Sequence, residues 1–365
     1  MGQKDYTDQI YCLTLLGKSI NSTISEVLID SKFNAEKVLD VQFIPEEPFY
    51  ILPVTRASTT LQEHLGEILT VAFSADSKDL ATGSADKTIR LWDLSTETPY
   101  KKLEGHTAMI LCVSWSPDCS VLATGDRKGS VGIWERNGAL RKLVKVHADF
   151  VCSISWKPMH LDVSCKYFAT SSKDTTVKIV NSTNGDIVRS LSSHSSTISQ
   201  VIWSGENKIF TGSHDKTIKV WDGDSFKFEK ELKGHGHWVN TMALNVDYAL
   251  KKSCYDHTAA SVSTDSEKLA KSKANYLKAK GEHNEILATG SDDMSILLWE
   301  PLASDKPVHR LTGHQALVNH IMFSPNGKLL ASASFDKSIK VWESYTGKYK
   351  TSLRAHVGSV YRVFL

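Results

Sequence analysis

Ser213, His214 and Asp215 stand in a row within TGSHDKTIKVWD, Thr211 to Asp222, and a hydroxyl, an imidazole and a carboxylate are the three groups of nucleophilic acyl transfer. In that chemistry the imidazole takes the hydroxyl proton while the carboxylate holds its tautomer, and one such constellation serves one site. Here the stretch recurs. TGSADKTIRLWD runs from Thr82 to Asp93, TSSKDTTVKIVN from Thr170 to Asn181, TGSDDMSILLWE from Thr289 to Glu300 and SASFDKSIKVWE from Ser332 to Glu343, with a weaker copy, TGDRKGSVGIWE, from Thr124 to Glu135. In every copy the tryptophan position (Val180 in one) falls six residues after the aspartate position (Lys128 in the weak one), and the serine falls two before it. His214 does not recur, so the apparent triad reads as architecture.

A different histidine keeps register. His64, His106, His147, His194, His235, His314 and His356 each precede a short apolar strand, and four histidine-to-tryptophan intervals are 27 or 28 residues. The spacing predicts a buried polar network in which the aspartate accepts from turn amides and from the histidine, the histidine bonds the serine, and the serine bonds the indole. The expected sets are His64, Ser84, Asp86 and Trp92; His194, Ser213, Asp215 and Trp221; and His314, Ser334, Asp336 and Trp342. His214 is expected as an exposed turn residue. The second unit has Asp126 and Lys128 where serine and aspartate belong, so its network is expected to be open; the third has Val180 and Asn181 for Trp-Asp. Those two units are expected to be the least rigid.

The elements that position these residues are strands. ISQVIWS and NKIFTGS alternate in period two, HDK makes a tight turn, TIKVWD is a third strand, and FEKELKGH leads to the next histidine. Units of three to four strands at roughly 40 to 45 residues, with Gly-His and Trp-Asp landmarks, resemble the blades of the WD40 propeller family over about Thr60 to Leu365. The expected fold is all-β: six near-complete blades plus the first strand of a seventh, ending at Leu365. The chain is 365 residues long and 41% apolar, with 43 Lys plus Arg against 41 Asp plus Glu, a net charge of +2. It therefore has no strong field to steer it to nucleic acid or anionic lipid. The six cysteines include no C-x-x-C pair and suit reduced thiols, and no apolar run approaches the roughly 18 residues of a membrane span. The Asn-Ser-Thr sequons at Asn21 and Asn181 read as chance matches.

One unit is too long. His235 to Trp299 is 64 residues against the usual 28, and the excess lies at about 245–285. The insert predicts a helix over 266–280, with Thr264 and Glu267 as a capping box, Gly281 as the stop, and Leu269, Tyr276 and Leu277 on one face. Its lysines, Lys268, Lys271, Lys273, Lys278 and Lys280, read first as a solvated face and second as a contact for RNA phosphates.

PVTRAST from Pro53, LCVSWSPD from Leu111, HWVNTMALNVDYAL with YDHT before the insert, and GHQALVNHIMFSP resemble the Notchless family, WD40 factors of large ribosomal subunit assembly. That family has eight blades behind a ubiquitin-like domain, so the resemblance implies a partial ubiquitin-like domain at 1–52, with strands in IYCLTLL, VLDVQFI and FYIL, and a propeller at 53–365 whose ring does not close within these residues. It implies a non-enzymatic factor without cofactor or small-molecule substrate, located in the nucleus and nucleolus and bound to a pre-ribosomal large-subunit particle through protein and rRNA. It also implies that Glu36 completes a Mg²⁺ site on a midasin-type AAA ATPase. Read from the residues alone, Glu36 is an ordinary exposed loop carboxylate, and the other function class is a generic WD40 scaffold, a signalling adaptor or ubiquitin-ligase substrate receptor.

Overall fold

The computed structural model describes residues 59–255, 264–281 and 283–364 in full, together with the backbone of three N-terminal strands. Contacts divide the chain into two units, Met1–Thr60 and Leu61–Leu365. In the first, Tyr11–Leu15 pairs antiparallel with both Lys18–Ser19 and Val41–Pro45, so IYCLTLL and VLDVQFI each contribute a strand. FYIL, Glu36, Glu46 and Glu47 lie outside the described residues.

The second unit contains six four-stranded antiparallel sheets, each built from strands consecutive in sequence. They span 68–103, 110–145, 151–192, 198–233, 239–311 and 318–353 and are blades 1 to 6 of a propeller. Successive first strands contact one another and so line the axis. The fourth strands form the outer surface: Thr98–Leu103 exposes five of its six residues, whereas Asp79–Ser84 buries all six. Such burial on both faces follows from stacking one blade on the next.

The Gly of the repeated TGS or TGD marks that stacking. A Cβ on Gly83 would stand 2.7 Å from Ile110 Cγ2, and one on Gly125 would stand 2.7 Å from Val151. A methyl group there would push the next blade away. The first strand of each blade also carries one irregularity in register after its first residue, between Ile68 and Thr70 in blade 1 and between Ile198 and Gln200 in blade 4. This turns the strand start toward the neighbouring blade. Ile68, Val71 and Phe73 of blade 1 are 51, 40 and 63% exposed, at positions where Ile110, Val113 and Trp115 of blade 2 are buried by the preceding blade. After the last strand, residues 354–364 carry no sheet pairing; Val360 donates its N–H to Ser334 O at 3.1 Å, and Val360 and Val363 pack on Ala331 and Ala333.

The insert forms two helices, α1 (Asp247–Lys252) and α2 (Asp265–Lys280). Thr264 and Glu267 form the reciprocal capping box, and Gly281 ends α2 at φ 61°. Tyr276 faces inward at 5% exposure, while Leu269 and Leu277 point outward at 40 and 51%, so only one of the three expected face residues packs. The tyrosine's ring lies on Gly205, and that contact fixes the roll of the helix. No helix among the described residues is long and apolar enough to cross a membrane.

Candidate functional site

The polar networks have a different hydroxyl from the one expected. In blade 4, His194 Nδ1 lies 2.6 Å from Asp215 Oδ2 and His194 Nε2 lies 2.8 Å from Thr211 Oγ1, to which Trp221 donates its indole N–H at 3.1 Å. Ser213 instead accepts the Asp215 N–H at 3.1 Å. The register explains the correction: Trp221 opposes Ile209, and its indole reaches one diagonal step along the neighbouring strand to Thr211. Ser213 sits at the strand end, beside the turn. Ser84 and Ser334 likewise accept from Asp86 and Asp336, and Thr82 and Ser332 take the histidine and the indole.

Each network is a chain of donors: indole N–H to hydroxyl oxygen, hydroxyl O–H to Nε2, Nδ1–H to carboxylate. This is also the order of a hydrolase triad. The hydroxyl is sealed, however: Thr211 and Ser332 are 0% exposed and their oxygens already accept an indole N–H. No substrate carbonyl can approach, so these groups are braces. Each carboxylate also gathers its turn. Asp215 Oδ1 accepts from both N–H and O–H of Thr217, and Oδ2 accepts from His194 and the Ser195 N–H. Burial works against the charge of Asp215, but the bonds from His194 and Thr217 outweigh it and hold the carboxyl well below the ordinary range.

Blade 2 is closed, contrary to expectation. Asp126, two residues before the usual position, reaches His106 Nδ1 at 2.9 Å and accepts the N–H groups of Lys128 and Ser130 at 2.9 and 2.8 Å. His106 completes the set through Thr124, which accepts from Trp134. Gly129 makes the substitution possible. It adopts φ +85° and a Cβ there would lie 2.3 Å from His147 O, so the shifted turn packs tightly on the next blade. Blade 3 keeps His147 between Asp174 and Thr170, both at 2.9 Å, and lacks only the indole, where Val180 is 0% exposed. His356 is exposed.

Two surface features carried no sequence signal. His214 is half-buried, its ring stacked on Trp238 at 4.6 Å and 9°. It is therefore not the bare turn residue expected; Trp238, 45% exposed, comes from the next blade's leading loop and also meets His237. Phe150 lies between two cations, Arg127 at 5.0 Å and Lys173 at 4.7 Å. The His214–Trp238 and Arg127–Phe150 pairs join turns of adjacent blades, whereas Lys173 and Phe150 belong to blade 3. Among the described residues no cluster of histidine, cysteine and carboxylate side chains could hold a metal.

The fold and its buried networks define a WD40 β-propeller, and the WD domain, G-beta repeat family matches residues 56–93, 97–135, 185–222 and 305–343. The unmatched blades are the one without the tryptophan and the one with the insert. The chain is 44% identical over 337 residues to the Notchless protein homolog of Arabidopsis thaliana, covering 92% of this chain and 71% of that protein. It is 40% identical over 354 residues to Ribosome assembly protein 4 of Saccharomyces cerevisiae (94 and 66%) and 38% over 319 to Protein Notchless of Drosophila melanogaster (86 and 64%). The chain belongs to the Notchless family. It spans between 64 and 71% of the length of these relatives.

Proposed function

We propose that this chain is a non-enzymatic assembly factor of the large ribosomal subunit, acting in the nucleus and nucleolus, that couples a pre-ribosomal particle to a midasin-type AAA ATPase. The observation that carries this reading is the 40% identity, over 94% of the chain, to a protein named for ribosome assembly. The propeller is suited to an adaptor because its hydroxyl, imidazole and carboxylate groups are committed to bracing turns, which leaves rigid surfaces for partners. The Trp238 and Phe150 clusters are the described surface groups best suited to protein or rRNA contact, since the first offers an exposed ring and the second a half-buried one, each flanked by polar or cationic groups.

In this reading Glu36 supplies the carboxylate that completes a Mg²⁺ held by the ATPase; Mg²⁺ requires near-octahedral oxygen coordination at short distance. Glu36→Ala is expected to abolish Mg²⁺-dependent binding to a midasin adhesion domain while leaving particle association intact. Glu36→Gln is nearly as damaging, because it keeps shape but removes charge, and Glu46→Ala and Glu47→Ala bind as wild type. A pull-down in which Glu36→Ala binds normally, or chelation has no effect, removes the ATPase link. Co-purification of cullin-type ligase subunits in place of large-subunit precursors would favour the generic scaffold.

A further inference from the structure

The insert is a strap across four other blades. Lys252 of α1 donates to Ser77 Oγ of blade 1 at 3.1 Å, Tyr255 donates to Asp118 O of blade 2 at 3.1 Å, and Tyr276 of α2 stacks on His160 of blade 3 at 4.5 Å and 10°. At blade 4 the same tyrosine hydroxyl lies 3.0 Å from Glu206 Oε1 and 2.9 Å from Glu285 Oε1. Glu285 follows α2 and enters the second strand of blade 5; it is 1% exposed and its Oε2 has no partner.

Counting protons places one more in this cluster than the tyrosine supplies. A phenol hydroxyl has one proton and donates to one carboxylate, so the second short oxygen contact needs a proton from a carboxyl. Lys280 pairs with Glu206 and keeps it ionised, which leaves Glu285 as the carrier. Glu285 then donates through Oε1 to the tyrosine oxygen, while that same Oε1 accepts the Gly205 N–H at 3.0 Å. We propose that α2 is latched to blades 3 and 4 by a proton shared between Tyr276 and Glu285, and that loss of this proton loosens the strap. The ionised form sets a second buried anion against Glu206 and leaves Oε2 charged without a donor. The titratable and charged groups facing the site are Tyr276, Lys280 and, farther off, Lys273 on α2, Glu206 on blade 4, and His160 on blade 3, whose ring donates to Gly205 O at 2.9 Å. Burial is the largest cause that pushes Glu285 up to about 7, and the charge of Glu206 adds to it.

A carboxyl raised in the docked state favours docking fully below its ordinary value of 4.5, and this contribution is lost as pH rises through about 7. Hydrogen exchange of residues 265–280 in the full chain, corrected for the intrinsic pH dependence of exchange, reads the opening. Between pH 5.5 and 7.5 the opening constant of wild type, relative to that of Glu285→Gln, is expected to rise on the order of twentyfold. Glu285→Gln, which holds the shape but cannot ionise, is expected to keep only the opposite response of His160, whose burial lowers it from 6.5 so that its contribution to docking weakens as pH falls. A ratio of wild type to Glu285→Gln that is flat across this range overturns the latch. A pH response of equal size in Glu285→Gln also overturns it, since another group then titrates.

Discussion

A threonine and a serine two residues apart differ in what their loss leaves behind. Removing the Thr211 hydroxyl strands two buried groups, the His194 Nε2 and the Trp221 indole N–H, whereas removing that of Ser213 strands one turn amide, the Asp215 N–H, and leaves the Ser196 carbonyl without the weak bond it accepts at 3.2 Å. A buried polar group without a partner costs about 1–3 kcal/mol. Thr211→Val, which keeps the branched shape, is therefore expected to destabilise blade 4 by about 2–4 kcal/mol for the two groups together, and Ser213→Ala by about 1 kcal/mol or less. Equilibrium urea unfolding separates them, and equal losses would return the serine to the centre of the network. The repeat spacing made the histidine, aspartate and tryptophan legible, because those positions keep register in sequence. It could not choose between two hydroxyls on the same face of one strand, because that choice depends on which cross-strand diagonal the indole follows.

A blade tolerates a moved carboxylate if the turn moves with it. In blade 2 the acid stands at Asp126 instead of position 128, and three donors still converge on it: His106 Nδ1–H and the N–H groups of Lys128 and Ser130. Asp126→Ser alone is expected to cost about 1–3 kcal/mol by stranding the buried imidazole N–H, and Lys128→Ala close to nothing. Asp126→Ser combined with Lys128→Asp recreates the serine and aspartate spacing of the other blades and is expected to recover most of the loss, measured by the same unfolding midpoints. Failure of the double variant would show that Gly129 commits this turn to its own geometry. The closed network was hidden from sequence reasoning because a register template scores position 128 and sees lysine. The capped helix α2 was legible from Thr264, Glu267 and Gly281, which act locally; the orientation of Leu269 and Leu277 was not, since it depends on where Gly205 admits a ring. The stack of Trp238 on His214 and the contact of Arg127 with Phe150 were hidden for the same reason, being contacts between blades.

Across the whole propeller the braces titrate together, and their signs agree. Asp86, Asp215, Asp293 and Asp336 are all held below the ordinary carboxylate value of 3.8, and Asp174 is lowered to about 2 despite burial, by bonds from Thr176 and His147 and the charge of His147. A carboxyl depressed in the folded state gives stability above its unfolded value and loses it as pH falls through the folded one. Burial also lowers His147 and His314 from 6.5, so the unfolded chain binds protons there first and stability declines from about pH 6.5 downward. The expected profile has a shallow fall below 6.5 and a steep one below 3.8, with the Glu285 latch the opposing exception, tightening as the solution acidifies. Asp174 offers the cleanest test because blade 3 has no indole to share the load. Its displacement from 3.8 to about 2 corresponds to a contribution on the order of 2 kcal/mol at neutral pH. Asp174→Asn keeps the shape and removes the charge, so its unfolding free energy from urea titration is expected to lie below wild type by that amount at pH 7, with the gap closing as pH falls from about 4 to 2. A gap of constant size across that range would mean that it comes from the acceptor oxygen that the asparagine amide group replaces, with the charge of Asp174 contributing nothing.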